Sequence, residues 1–215
     1  MAHKISVPFV GLCMVTIVLS LLATGCGASK PEPAKPASVS ATAAPAEKKP
    51  LLTQKPGEWK ADGVIADNEY SKTQVIGEIE VYSRIDNDVV RLALKAKTNG
   101  YVAIGFDPSE KMKDADMVLG FVKDGKAVVT DMFSTGLTGP HPPDDQQGGR
   151  QDVTVFGGSK KDGVTIIEFE RKLVTGDSLD KAIKIGDNRI IWAVGDNETA
   201  TTKHVKRGGG VLTFN

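Results

Sequence analysis

Beyond about residue 70, apolar and polar side chains alternate at period two in short runs: residues 76–82, 89–96, 101–106, 117–122, 127–133, 164–169 and 190–194. A period of two sends successive side chains to opposite faces of a strand, so each run predicts a β-strand with one face toward a core. Turn residues separate the runs, as in Asp86-Asn87-Asp88, Asn99-Gly100, Asp124-Gly125 and Asp162-Gly163. Asn-Gly and Asp-Gly between alternating apolar residues are strong hairpin signals. Many short strands joined by tight turns predict an all-β fold, an antiparallel β-sandwich. The one helical candidate is a short stretch at 178–183.

The first 56 residues follow another grammar. A basic head, His3 and Lys4, precedes a charge-free apolar run over 7–23, which reads as a secretion signal. The run closes on Leu22-Ala23-Thr24-Gly25-Cys26, which resembles the bacterial lipobox. That motif usually places Leu three residues before the cysteine; here Ala23 holds that position and Leu22 lies one step earlier. Residues 1–25 are therefore expected to be a lipoprotein signal peptide and Cys26 the lipidated residue, with an uncleaved signal anchor as the alternative. Residues 26–56 are expected to form a tether, because Ala, Pro, Ser and Lys dominate and almost nothing there can be buried to offset ordering entropy. Its reach as a flexible coil would be on the order of 30 Å. Residues 57–215 are one domain's worth of sequence.

Composition then narrows the chemistry. The chain has two cysteines, Cys13 and Cys26, so the domain offers no disulfide, thiol nucleophile, cysteine zinc site or covalent C-x-x-C-H haem attachment. Basic and acidic residues number 27 each, which gives no electrostatic case for a nucleic-acid partner. Outside the signal, histidine is confined to His141 and His204. Neither an H-E-x-x-H zinc motif nor a G-x-S-x-G elbow is present, so hydrolase chemistry has little support and the chain reads as a carrier or ligand-binding domain rather than an enzyme. The pairs Asp114/Asp116 and Asp144/Asp145 offer oxygen ligands for calcium, or are solvated turn acids. Met112 lies in a polar stretch with no evident core to fill, where a thioether can serve as a soft metal ligand or be an ordinary exposed side chain.

Several segments in order, Gly100-Tyr101-Val102-Ala103-Ile104-Gly105-Phe106, Met112 through Phe121, Val129-Thr130-Asp131, Phe169-Glu170-Arg171-Lys172-Leu173, Thr175-Gly176-Asp177 and Ile191-Trp192-Ala193-Val194-Gly195, resemble the DOMON domain. The opening Ala61-Asp62-Gly63-Val64-Ile65 with Glu69-Tyr70 is similar to the start of related haem- and carbohydrate-binding sandwich modules. The resemblance implies either a b-type haem or a sugar ligand, or an accessory domain without haem. Haem-binding members ligate iron with a Met from the loop before the Asp-bearing strand and a His late in the domain, positions that Met112 and His204 occupy here. A Met/His pair fills both axial positions and favours Fe(II), which suits electron transfer with a redox partner protein. Trp192 is expected beside the cofactor, and Lys203, Lys206 and Arg207 beside its propionates or facing water. Gly208-Gly209-Gly210 would admit a flat macrocycle or form a loop. Met117 is expected to point away from the site and His141 to have no part in it. A carbohydrate-binding module without haem is the alternative, weakened by an aromatic content of 6%; a haem-binding or sensing protein without electron transfer is another.

Overall fold

The computed structural model describes residues 57–215; the signal, Cys26 and the tether lie outside the described residues. Ten strands form two five-stranded antiparallel sheets, as the alternation predicts. The first sheet has the order β1 (Lys72–Ile76), β2 (Ile79–Asp86), β3 (Val89–Ala96), β8 (Val164–Lys172), β7 (Val155–Lys161). The second has the order β10 (Lys206–Phe214), β9 (Gly186–Val194), β4 (Val102–Phe106), β5 (Asp116–Lys123), β6 (Lys126–Phe133). Inward side chains from both sheets, among them Leu92, Leu94, Ile104, Phe106, Ile167, Phe169, Ile190 and Leu212, meet in the main core. Among the described residues no helix is long and apolar enough to cross a membrane.

Three local features depart from the pattern. The run at 76–82 is two strands, split by a hairpin in which Gly77 adopts φ 62°, a left-handed conformation that L side chains rarely take. Residues 178–183 are not helical. Their amides go elsewhere: the Leu179 amide donates to Asp177 Oδ1, the Lys181 amide to Asp116 Oδ2 and the Ile183 amide to the Leu173 carbonyl. Side-chain acceptors that capture backbone donors in this way compete directly with a helix. Gly208-Gly209-Gly210 is not a loop but part of β10, antiparallel to β9. A Cβ at Gly208 would come within 2.7 Å of the Trp192 ring, and one at Gly77 within 2.2 Å of it, so the two glycines make room for an indole packed in the core.

The segment before β1 covers the outer face of the first sheet. Glu168, fully buried, accepts the amides of Asp62 and Gly63 and the Tyr70 hydroxyl at 2.6–3.1 Å, while Tyr70 also accepts from Trp59 Nε1. Burial and the Glu168 carboxylate raise the Tyr70 pKa well above its ordinary value, so the phenol stays a donor.

Candidate functional site

On β5 every residue from Asp116 to Val122 is buried, although one face of an outer sheet would ordinarily meet water. The cover is a second apolar cluster on the outer face of the second sheet. It comprises Tyr101, Ala115, Met117, Leu119, Phe121 and Met132, with Ala103, Met112, Ile191, Ala193 and Ala200 packed against it. Two loops supply the residues that come from outside the sheet.

The first is the β4–β5 loop, which places Met112 at the tip of a tight turn. The Lys113 amide donates to the Glu110 carbonyl at 2.9 Å and the Ala115 amide to the Met112 carbonyl at 3.1 Å. Lys111 and Asp114 take φ values of 51° and 60°, and Asp114 is held by the Ser109 hydroxyl at 2.5 Å. The turn is pinned to the next loop by a reciprocal pair, the Asp114 amide to the Ser134 carbonyl at 2.7 Å and the Ser134 amide to the Ala115 carbonyl at 3.0 Å. Met112 is thereby half-buried against the cluster instead of lying in water.

The second is the β9–β10 loop, which carries His204. Its ends are fixed by hydrogen bonds, the Gly195 amide donating to the Tyr101 carbonyl and the Val205 amide to the Val194 carbonyl, each at 2.9 Å. At its middle the Tyr101 hydroxyl donates to the Thr202 carbonyl at 3.2 Å, and Ala200 packs into the cluster. His204 is half-buried, and its Nε2 lies 3.4 Å from the Arg207 guanidinium. Desolvation, then the Arg207 and Lys203 charges, lower its pKa, so the imidazole is neutral at neutral pH and free to ligate. His141 also acts on His204 electrostatically. His141, in the β6–β7 loop, is itself half-buried with Nδ1 unpartnered.

Met112 and, from the His204 loop, Ala200 thus pack against one apolar cluster, although the pairing of β4 places the β4–β5 loop at its Phe106 end and the β9–β10 loop at its Val102 end. Four other residues bear on the expected site. Trp192 points into the main core because β9 alternates, leaving Ile191 and Ala193 on the outer face. Lys206, next to Arg207 and therefore of opposite facing along the strand, pairs with Glu78 at 3.0 Å. Met117 shares the cluster with Met112 instead of pointing away, since 117, 119 and 121 are the outward positions of β5. Lys203 is exposed.

The acid pairs separate. Asp114 and Asp145 belong to the surface, whereas Asp116 and Asp144 are fully buried on the inner side with Asp131, a grouping that spacing along the chain does not reveal. A separate groove of about 650 Å³ crosses the outer face of the first sheet, lined by Tyr70, Tyr82, Thr73, Lys95 and Ser159 among others.

A two-sheet antiparallel sandwich with an apolar outer face under two loops is the frame on which the comparisons with known proteins bear. The chain matches the DOMON domain family over residues 75–195, more than half of its length, and belongs to that family. It is 34% identical over 100 residues to DBH-like monooxygenase protein 1 of Mus musculus, covering 46% of this chain and 16% of that protein. It is 31% identical over 116 residues to MOXD1 homolog 2 of Drosophila melanogaster, covering 54% and 15%. The chain thus spans about a sixth of the length of these relatives. Among solved structures it is similar to the cytochrome b domain of pyranose dehydrogenase from Coprinopsis cinerea, with TM-score 0.48, 14% identity and coverage of 62% of this chain and 75% of that one. The cytochrome domain of Myriococcum thermophilum cellobiose dehydrogenase gives TM-score 0.46, 12% identity and coverage of 70% and 80%.

Proposed function

We propose that this DOMON domain binds a b-type haem on the outer face of its second sheet, with Met112 and His204 as the axial pair, and exchanges electrons with a protein partner. The observation that supports this reading is the second apolar cluster, against which Met112 packs from one end of β4 and Ala200 of the His204 loop from the other, on a face that a sandwich of this kind would otherwise leave polar. Between the loops this face carries the small residues Ala103, Gly105 and Ala193 beside Ile191, Met117, Leu119 and Phe121. A Cβ at Gly105 would come within 2.9 Å of Ile191 and 3.1 Å of Met117, so the glycine lets those two side chains pack close over the sheet. These residues fit a flat apolar group with an imidazole on one side and a thioether on the other. A haem, when bound, supplies a one-electron Fe(III)/Fe(II) couple. The Tyr101 hydroxyl holds the His204 loop, the Ser134 pair holds the Met112 turn, and Arg207 with Lys203 offers cations to carboxylates at the rim. A role in binding haem without passing electrons would use the same residues.

The signal over residues 1–25 and a lipid on Cys26 would place this domain outside a membrane and within reach of such a partner. The decisive experiment is an absorption spectrum of the haem-reconstituted protein, oxidised and reduced. Low-spin bands should appear in the wild type and vanish in His204→Ala, while Met112→Ala should keep haem at a lowered potential. A wild type with no low-spin bands would overturn the assignment. The groove beside Tyr70 and Tyr82 favours a second reading, a carbohydrate-binding module, and glycan binding lost in Tyr82→Ala would then be expected.

A further inference from the structure

Between the sheets, away from the Met112 cluster, lies a concentration of negative charge that neither haem nor sugar binding uses. One carboxylate oxygen from each of Asp116 on β5, Asp131 on β6 and Asp180 in the β8–β9 loop lies within 4.8 Å of the other two. Asp116 and Asp131 are fully buried, and the Asp180 side chain is 2% exposed. The neighbouring cation is Arg171 of β8, 2.5 Å from Asp116 Oδ2 and 3.8 Å from Asp180 Oδ1.

A second observation comes from Asp144 in the short 3-10 turn Asp144–Gln146, which is fully buried with neither carboxylate oxygen hydrogen-bonded. Pro143 bridges to Met132, the neighbour of Asp131, which sets Asp144 beside the strand that carries Asp131, and after burial the carboxylates of Asp180 and Asp116 raise its pKa. Asp116 Oδ1, Asp131 Oδ1 and both oxygens of Asp180 are likewise unpartnered. The Asp152 amide donates to Asp131 Oδ2 and the Lys181 amide to Asp116 Oδ2, but buried carboxylate oxygens without partners are costly, and four acids near one guanidinium carry more negative charge than Arg171 balances.

We propose that Asp116, Asp131, Asp144 and Asp180 form a buried site for one calcium ion, which ties β5, β6, the 3-10 turn and the β8–β9 loop together. The donors are all oxygen, as a hard cation requires, and the three oxygens of the trio lie within 4.8 Å of one another, inside the limit of roughly twice the usual 2.3–2.6 Å bond that one calcium shell sets. Magnesium keeps several of its waters, and a site enclosed by fully buried side chains favours the ion that sheds them. Without the ion the site holds protons in its place: desolvation first, then the neighbouring carboxylates, raise Asp131 to about 8 and Asp144 to about 7.

The test uses the purified protein, stripped with chelator and titrated separately with calcium and magnesium. Calcium should bind at one ion per chain and raise the melting temperature by roughly 5–10 °C when well above its dissociation constant. Asp144→Asn, whose side chain makes no hydrogen bond to lose, should melt at or above the wild type in chelator and lose at least tenfold in calcium affinity. Asp145→Asn, its exposed neighbour, should keep the full shift. Equal melting of the wild type in chelator and in calcium would overturn the proposal, as would a full shift with magnesium at the same concentrations or an undiminished calcium shift in Asp144→Asn.

Discussion

Replacing Arg171 by Met tests how the interior tolerates its acids, because Met keeps the stem and removes the charge. The guanidinium is 1% exposed, donates to Asp116 Oδ2 at 2.5 Å and to the Lys181 carbonyl at 2.7 Å, and sits 5.8 Å from the Phe106 ring centre. Removing one partner of a buried pair costs about 3–5 kcal/mol, because the charge left behind has no compensation. For a domain of this size each kcal/mol moves the melting temperature by roughly 2–4 °C, so the variant should melt about 6–20 °C lower in chelator at neutral pH. The loss should depend on pH in a fixed direction. Asp131, Asp144 and Asp180 have folded pKa values of about 8, about 7 and about 6, above the ordinary carboxylate value. The folded state therefore binds more protons than the unfolded one between about pH 4 and pH 8, and stability falls as pH rises through that window. The deficit of Arg171→Met should accordingly shrink toward pH 5 and widen toward pH 8. Thermal unfolding followed by circular dichroism measures both. A deficit under 2 °C at every pH would refute the reasoning, since it would mean that Arg171 compensates nothing.

Two further outcomes bear on the outer face and on the anchor. Tyr101→Phe removes the hydroxyl that holds Thr202 and leaves the ring in the cluster, so it should cost about 1 kcal/mol of stability and speed haem loss, measured by transfer to apomyoglobin; an unchanged loss rate would separate the hydroxyl from the site. Cys26→Ser should abolish a lipid mass increment at the mature N-terminus, and a wild-type protein without that increment would end the lipoprotein reading.

Where one face of a strand is buried and the other wet, period-two alternation is written directly into the residues, and for that reason β3, β4, β6, β8 and much of β9 were legible from sequence. β1, β7 and β10 were not. β7 and β10 hold five glycines between them, Gly157, Gly158, Gly208, Gly209 and Gly210, whose positions are dictated by what approaches them. A Cβ at Gly157 would come within 1.7 Å of the Ala61 carbonyl and one at Gly210 within 2.4 Å of Ile76, contacts that span more than ninety residues of sequence and leave no local pattern. The helix expected at 178–183 failed for a related reason: Asp177 and Asp116 take its amides, and Asp116 is a tertiary neighbour.

The site divides along the same line. Met112 and His204 were legible as loop residues whose types suit iron, but their placement was not: the pairing of β4 with β5 and β9 sets the two loops at its two ends rather than at one end of the sheets. Trp192 was misplaced because a conspicuous aromatic was assigned to the ligand, when the parity of β9 sends 190, 192 and 194 to the core and 191 and 193 outward. The buried acids carry the lesson furthest. In sequence Asp116 is paired with Asp114 and Asp144 with Asp145, and each pair reads as a solvated turn. Strand parity at β5 and the bridge from Pro143 to Met132 split both pairs, sending one member of each inward to join Asp131 and Asp180. Two acids that face water cost little, whereas the same residues facing inward require a cation or a proton. The two faces of the second sheet therefore ask for different things: the outer one is apolar where water is expected, and the inner one is charged where apolar packing is expected. The outer departure is met by the chain itself, whose Met112 and His204 loops pack over it, whereas the inner one leaves buried carboxylate oxygens that Arg171 alone does not balance, which is the ground for proposing a cation there.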